Sequence, residues 1–381
     1  MKKIPYGRQY IDNSDVKLVS KSLKGRLITT GDYVINFERK VKKYLKCKYV
    51  KSCSSGTAAL HLAMLSIGIN KNDVVLMPAV NFVASYNLAK SMKAKIYFVD
   101  VDHQTGQITP NKIEECIKKY NLKKIKILIT MMHGGYPENI KKFYFLKKKY
   151  KFYIIEDACH ALGSEYKYNK KFVKIGSCKH SDICTFSLHP VKTITTGEGG
   201  LLTTNNLEIS KKVDLFRNHG IKKDKINFWK YDVLNNGYNY RISDVNCALG
   251  LSQFNKINYF LNRRRKIYLN YYKELSNFNS NLVLPKYSRD TKPSCHLFLL
   301  NINFKKLKKK KDDFMNYLIS NKIMAQFHYI PIYKFSIYKE KKIRLNGTEN
   351  YFSNSLSIPI YVSLKSKDQK KIINLIKKFF N

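Results

Sequence analysis

The sequence predicts an α/β protein: a mostly parallel sheet in a larger N-terminal part, then a smaller α+β region. Two observations carry this. From Lys48 to Thr203, short apolar runs alternate with helix-length amphipathic stretches, the rhythm of strands joined by helical crossovers. After about residue 255 that rhythm breaks into a long polar helix, isolated strands and a closing helix. The division drawn on this change is 1–255 for the N-terminal arm and large domain and 256–381 for the small domain.

In order, residues 1–13 read as an extended arm punctuated by Pro5, Gly7 and Asn13. Ser14 can cap a short helix carrying Val16, Val19 and Leu23 on one face. Leu27 to Gly31 is a turn, and Phe37, Val41 and Leu45 mark the buried face of the next helix. Strands are expected near Tyr49-Val50, at 74–77, 96–99, 125–131 and 152–155, and at 201–203. Helices fall between them at 82–92, 110–119 and 138–150. Ser243 caps a helix through Leu251. Beyond it come a long helix bearing Arg263-Arg264-Arg265, a strand at 296–302 and a helix at 312–320. Met324 to Tyr329 reads as a strand, and 365–380 as the closing helix.

Composition narrows the function. The 381 residues hold 71 Lys+Arg against 27 Asp+Glu, a net +44. Such a field can serve nucleic acid or a membrane surface. The lysines are spread along the chain, however, and Lys, Ile, Asn, Tyr and Phe share A/T-rich codons. Genome composition explains much of the excess, and an anionic small substrate would still benefit from it. No nucleic-acid partner is expected. The start of the chain has no apolar leader and no long apolar run follows, so no membrane partner and a cytoplasmic location are expected. The eight cysteines are irregularly spaced, without Cys-x-x-Cys, which argues against a disulfide framework. Cys178, His180, Asp182 and Cys184 alternate and would share one face of a strand. A second ligand pair is missing, so no metal is expected.

Two stretches carry chemistry. Ile154-Ile155-Glu156-Asp157-Ala158-Cys159-His160 is an apolar run ending in acid. Phe186-Ser187-Leu188-His189-Pro190-Val191-Lys192 leads to Gly197-Glu198-Gly199-Gly200, a turn into the next strand. An acid closing a buried strand, opposite a lysine on a Ser/His-rich loop, is what pyridoxal phosphate chemistry requires. The pairing alone is not specific, because lysine is abundant and strands ending in Asp are common. Upstream, Ser54-Ser55-Gly56-Thr57 opens a helix as an anion site does, though an ordinary N-cap reads the same way.

Taken together, these segments resemble the sugar-nucleotide aminotransferases of the DegT/DnrJ/EryC1/StrS type, within fold-type I of the pyridoxal phosphate enzymes. The resemblance spans Ile4-Pro5-Tyr6, Leu27 to Gly31, Ser55 to Leu60, Glu156 to Gly163, Phe186 to Gly200, Arg217 to Gly220, Gly237 to Gly250 and His328 to Pro331. His160 to Tyr166 and Met324 to Tyr333 resemble the pseudaminic-acid branch, which aminates C4 of a UDP-4-keto-6-deoxy-N-acetyl hexosamine. The resemblance implies pyridoxal 5′-phosphate as cofactor, L-glutamate as amino donor and a homodimer with shared active sites. Lys192 becomes the Schiff-base lysine and Asp157 the partner of the pyridine nitrogen. His160 lies near the cofactor's 3′-oxygen, Phe82 stacks on its ring, and Gly56, Thr57 and Ser187 hold its phosphate. Asn239 reaches the phosphate from the partner subunit, while Tyr6, Thr30 and His328 lie near the substrate. Two alternatives stand beside this: a GDP-perosamine or 3-keto-sugar aminotransferase, and a non-enzymatic basic nucleic-acid-binding protein on the same fold.

Overall fold

Seven five-residue runs, mostly buried, pair into one sheet in the computed structural model, which describes residues 3–227, 229–338 and 343–380. They are β1 (Tyr49–Cys53), β2 (Val74–Pro78), β3 (Lys95–Val99), β4 (Ile127–Met131), β5 (Tyr153–Asp157), β6 (Ile183–Ser187) and β7 (Gly200–Thr204). Their spatial order is β1-β7-β6-β5-β4-β2-β3, and only β7 runs against the others. Alternate residues feed different cores. Val75, Met77, Ile127, Ile129 and Ile155 join one, and Leu76, Leu128 and Ile154 the other. A sheet covered on both faces needs apolar side chains at every position, which is why these runs read as continuous rather than alternating.

The C-terminal region has its own core. Phe298–Ile302 pairs antiparallel with Leu282–Val283 and Ser355–Ile358. The helices Ile257–Leu275, Lys311–Ser320 and Ser366–Phe380 contribute Tyr271, Phe314 and Ile372 to it. The first of these helices spans both territories: Phe260 and Leu261 pack with the large sheet's surroundings, Ile267 and Leu275 with the small core. Ile4, expected to go with the N-terminal part, is buried in the C-terminal core and exchanges backbone hydrogen bonds with Lys322 and Met324 (2.9 Å each).

Three expectations are corrected. The first helix, Asn13–Leu23, is capped by Asp12 rather than Ser14, and its expected apolar face is turned outward: Val16 is 56% and Leu23 58% exposed. It docks through polar groups instead. Asp15, fully buried, accepts from Gln253 Nε2 and Lys256 Nζ at 2.8 Å each. Met324 to Tyr329 makes no strand; its backbone pairs with the small sheet only where Gln326 and Ser357 exchange bonds, and Pro331 soon ends any further pairing. Cys178 to Asp182 do not form the alternating strand either. Cys178 Sγ lies at Thr203 Oγ1 (3.3 Å), His180 at the Tyr166 hydroxyl (2.6 Å), and Asp182 accepts from the Ile154 N–H (2.8 Å). No described helix is long and apolar enough to cross a membrane.

Because a buried carboxylate anchors the first helix, Asp15→Ala should lower stability by about 2 kcal/mol, read as a shifted midpoint in denaturant unfolding.

Candidate active site

The carboxyl ends of β1, β5 and β6 and the loop after β2 open on one cavity of about 470 Å³. Strand register brings them level. Cys53 and Ser187 both pair with Gly200, one on each side, and Asp157 pairs with Thr185 on β6. A side chain at Gly200 would collide with the Ser55 carbonyl, so glycine lets β1's turn fold over β7.

After β1, Ser55 caps the helix Gly56–Ile67. Its hydroxyl takes the Ala58 N–H (3.0 Å) and its carbonyl the Ala59 N–H (3.0 Å). The amides of Gly56 and Thr57 stay available at the helix's positive end, and both residues line the cavity. Ser187 lines it beside them, and a Cβ on Gly56 would sit 2.8 Å from Ser187 Cβ. This tight cradle of amides and hydroxyl suits a phosphate.

Across the cavity, Asp157 is buried at the end of β5, with Oδ1 accepting the Cys159 N–H (3.2 Å). Burial pushes its carboxyl up; Cys159, the Lys192 charge and Asn81 pull it back. Lys192 lines the same cavity on a loop closed by its own N–H to the His189 carbonyl (2.9 Å). Burial holds the Lys192 ammonium below the usual lysine range; Cys159 and Asp157 oppose this, and Arg264 adds to it. Phe82 is 55% exposed and offers a flat apolar face to the opening, its ring centroid 6.0 Å from that of Tyr329. Anion cradle, acid, amine and aromatic face are the parts pyridoxal phosphate needs, so the residues present fit it.

The other expected residues divide. Tyr6 and His328 line the cavity with ring centroids 5.5 Å apart, and His328 Nδ1 shares a hydrogen bond with Ser357 Oγ (2.7 Å). His160 stands one layer behind, its Nε2 hydrogen-bonded to the Tyr329 hydroxyl (2.9 Å) and its ring 4.2 Å from that of His296. Thr30 and Asn239 are not in this cavity. Thr30 lines a separate one of about 650 Å³ with Arg217 and Arg241, and Asn239 is exposed on a loop bridged to Asn218. The sequence reading missed Asn81, Cys159, His296 and Tyr329, all lining the cavity. Tyr329 follows His328 directly, and Asn81 precedes Phe82. His296 gave no signal beyond opening an apolar run.

Burial keeps the surrounding histidines neutral. His160, His296 and His328 are held well below the ordinary histidine range, and His133 is lowered to about 3.

Comparison with known proteins agrees with this geometry. The model of the DegT/DnrJ/EryC1/StrS aminotransferase family matches residues 9–377. A UDP-4-amino-4,6-dideoxy-N-acetyl-beta-L-altrosamine transaminase of Campylobacter jejuni is 37% identical over 371 residues, 96% of this chain and 95% of its own. The GDP-perosamine synthase of Escherichia coli O157:H7 is 30% identical over 382 residues, 100% of both chains. Among solved structures, Helicobacter pylori PseC, an aminotransferase involved in the biosynthesis of pseudoaminic acid, superposes with a TM-score of 0.91. It is 26% identical, and the match covers 100% of this chain and 99% of that one.

The close approach at the cradle yields a test. Gly56→Ala should weaken pyridoxal 5′-phosphate binding at least ~10-fold, about 1.4 kcal/mol, in an absorbance titration.

Proposed function

The chain belongs to the DegT/DnrJ/EryC1/StrS aminotransferase family, and from that premise we propose that it aminates C4 of a UDP-linked 4-keto-6-deoxy-N-acetyl hexosamine, with L-glutamate as donor. It is a pyridoxal-phosphate-dependent aminotransferase. The observation that carries the substrate reading is the 37% identity, across nearly the whole chain, to an altrosamine C4 transaminase.

When bound, pyridoxal 5′-phosphate supplies an electron sink for the pair left on a carbon that loses a proton. The protein's residues do the rest. The Gly56 and Thr57 amides and the Ser187 hydroxyl hold the phosphate at the helix N-terminus. Asp157, restrained by the Cys159 N–H, would serve as counter-charge to the cofactor's protonated ring nitrogen, and that cation would offset the cost of burying the carboxylate. Phe82 orients the ring by packing. Lys192, whose burial favours the neutral amine, takes the proton from the donor and returns it at C4 of the acceptor sugar. His160, kept neutral, braces Tyr329 at the wall. Tyr6 and His328 contact the sugar.

We further propose a homodimer in which Asn239 completes the partner's site, with Thr30 near the substrate across the same interface. Asn239 and Thr30 both lie exposed outside their own chain's cavity. The nearby hairpin of Ile221–Lys223 and Tyr231–Val233 presents the exposed apolar residues Ile226, Tyr231 and Val233. Such a surface suits burial against a second copy. All eight cysteines are free thiols, which fits a reducing, cytoplasmic setting.

The substrate test is a panel of UDP-, GDP- and dTDP-linked keto-sugars incubated with glutamate. Turnover is expected on the UDP-4-keto sugar, and a clear preference for the GDP sugar would replace it with the perosamine reading. Borohydride reduction of the cofactor-loaded chain should place the label on Lys192 by peptide mass mapping, and a label elsewhere removes its assigned role. Asp157→Asn should fold but lose about 100-fold in kcat. Mixed dimers of Lys192→Ala with Asn239→Asp have one site with both residues intact. They should regain up to about half of wild-type activity; heterodimers no better than either parent would count against sharing.

A further inference from the structure

The three arginines of the Ile257–Leu275 helix read in the sequence as part of a polar surface. In the fold all three point inward, toward carbonyls. Arg263 donates to the Val362 and Leu364 carbonyls (3.2 and 2.7 Å), and Arg265 to that of Pro293 (3.2 Å). Arg264 differs from both because it is only 1% exposed. Its Nη1 donates to the Ile360 carbonyl (2.9 Å) and, more weakly, to that of His296 (3.4 Å); Nη2 donates to the Val191 carbonyl (3.3 Å). Its Nε has no partner, and no carboxylate among the described residues pairs with it. An unpaired buried cation costs several kcal/mol, so structural convenience is a poor account of it. A leucine or methionine would fill the same space without that cost.

The residue it grips explains the expense. Val191 immediately precedes Lys192, and Arg264 and Lys192 share the lining of a small internal cavity behind the active site. We propose that Arg264 is a positioning residue for Lys192: it clamps the loop that presents the lysine and fixes a second, uncompensated positive charge behind it.

The charges facing Lys192 make the clamp's effect specific. Asp157 and Cys159, from the end of β5, favour its protonated form. His160, His296 and His328 are neutral through burial. His189 and Glu198 come from its own loop, Tyr6 and the exposed Arg8 from the arm. Arg264 is the buried cation on this side. It stays charged near neutrality, since burial lowers its guanidinium only to about 10. Its like charge offsets the pull of Asp157, leaving an acid–lysine pair in which the amine can still lose its proton. The inference rests on the assignment of Lys192 above, but its test needs no sugar substrate.

The full-length chain, freed of cofactor, is labelled with trace acetic anhydride across a pH series. Peptide mass mapping follows Lys192 against the many surface lysines of the same sample. In Arg264→Gln the Lys192 midpoint should rise by about 0.5–1 pH unit, while Arg264→Lys, which keeps the charge, should stay with the wild type. An Arg264→Gln curve that superimposes on the wild type, in a chain with native circular dichroism, overturns the proposal. If that variant does not fold, Arg264→Met, which fills the same space without the charge, takes its place: a raised Lys192 midpoint supports the proposal, and a curve superimposed on the wild type overturns it. A chain inactive on every sugar of the panel would leave these curves unchanged, so the two readings fail separately.

Discussion

Gly200 stands between two strand ends, pairing with Cys53 on one side and Ser187 on the other, and the geometry of the cavity depends on that double registration. One residue of slip in the β7–β6 ladder would carry Ser187 to the opposite face, and one in the β1–β7 ladder would displace the turn at Ser55 instead. The antiparallel β7 makes the registration possible, because it lets β1 and β6 flank a single strand although they are distant in sequence. The parallel part of the sheet then adds Asp157 beside β6. The acid and the cradle are thus held by backbone ladders, and the lysine loop leaves the end of one of them.

Much of this was legible because it obeys local rules. Asp157 closes an apolar run, Lys192 follows a Ser/His-rich loop and Ser55–Thr57 opens a helix; each alone has an ordinary reading, and the roles came from the resemblance that joins them. Phe37, Val41 and Leu45 were readable from spacing alone, and all three are fully buried. The failures share a cause. In the first helix, a polar anchor made from residues more than two hundred positions away overrides the apolar periodicity, so Asp15 faces in and Val16 faces out. Arg263 to Arg265 marked only a long polar helix, because their partners are backbone carbonyls, which leave no trace in a sequence. His296 reaches the cavity only through the return of the C-terminal sheet onto the large one. Met324 to Tyr329 has the composition of a strand but only one bridge to its neighbour.

The electrostatics around the cavity follow from the burial of the groups that surround it. His296 and His328 line its wall with His133 and His160 packed behind them, and burial holds all four well below the ordinary histidine range. They supply hydrogen-bonding rings without adding charge of their own. Asp157 and Lys192 face the cavity with the exposed Glu198, and Arg264 lies behind Lys192; among the buried groups each charge acts strongly on the others. The chain's large positive excess has little part in this, being spread over a solvated surface where salt screens it.

The burial of Ile4 among residues of the C-terminal core bears on how the protein is made. The segment that carries Ile4 and Tyr6 leaves the ribosome about three hundred residues before its docking partners at Lys322 and Met324. At bacterial-type synthesis rates, that strip of chain waits on the order of tens of seconds. During that interval the large sheet can assemble around its own cores, while the wall to which Tyr6 belongs stays open. The Tyr6 side of the cavity can therefore close only after the chain through Met324 has been made.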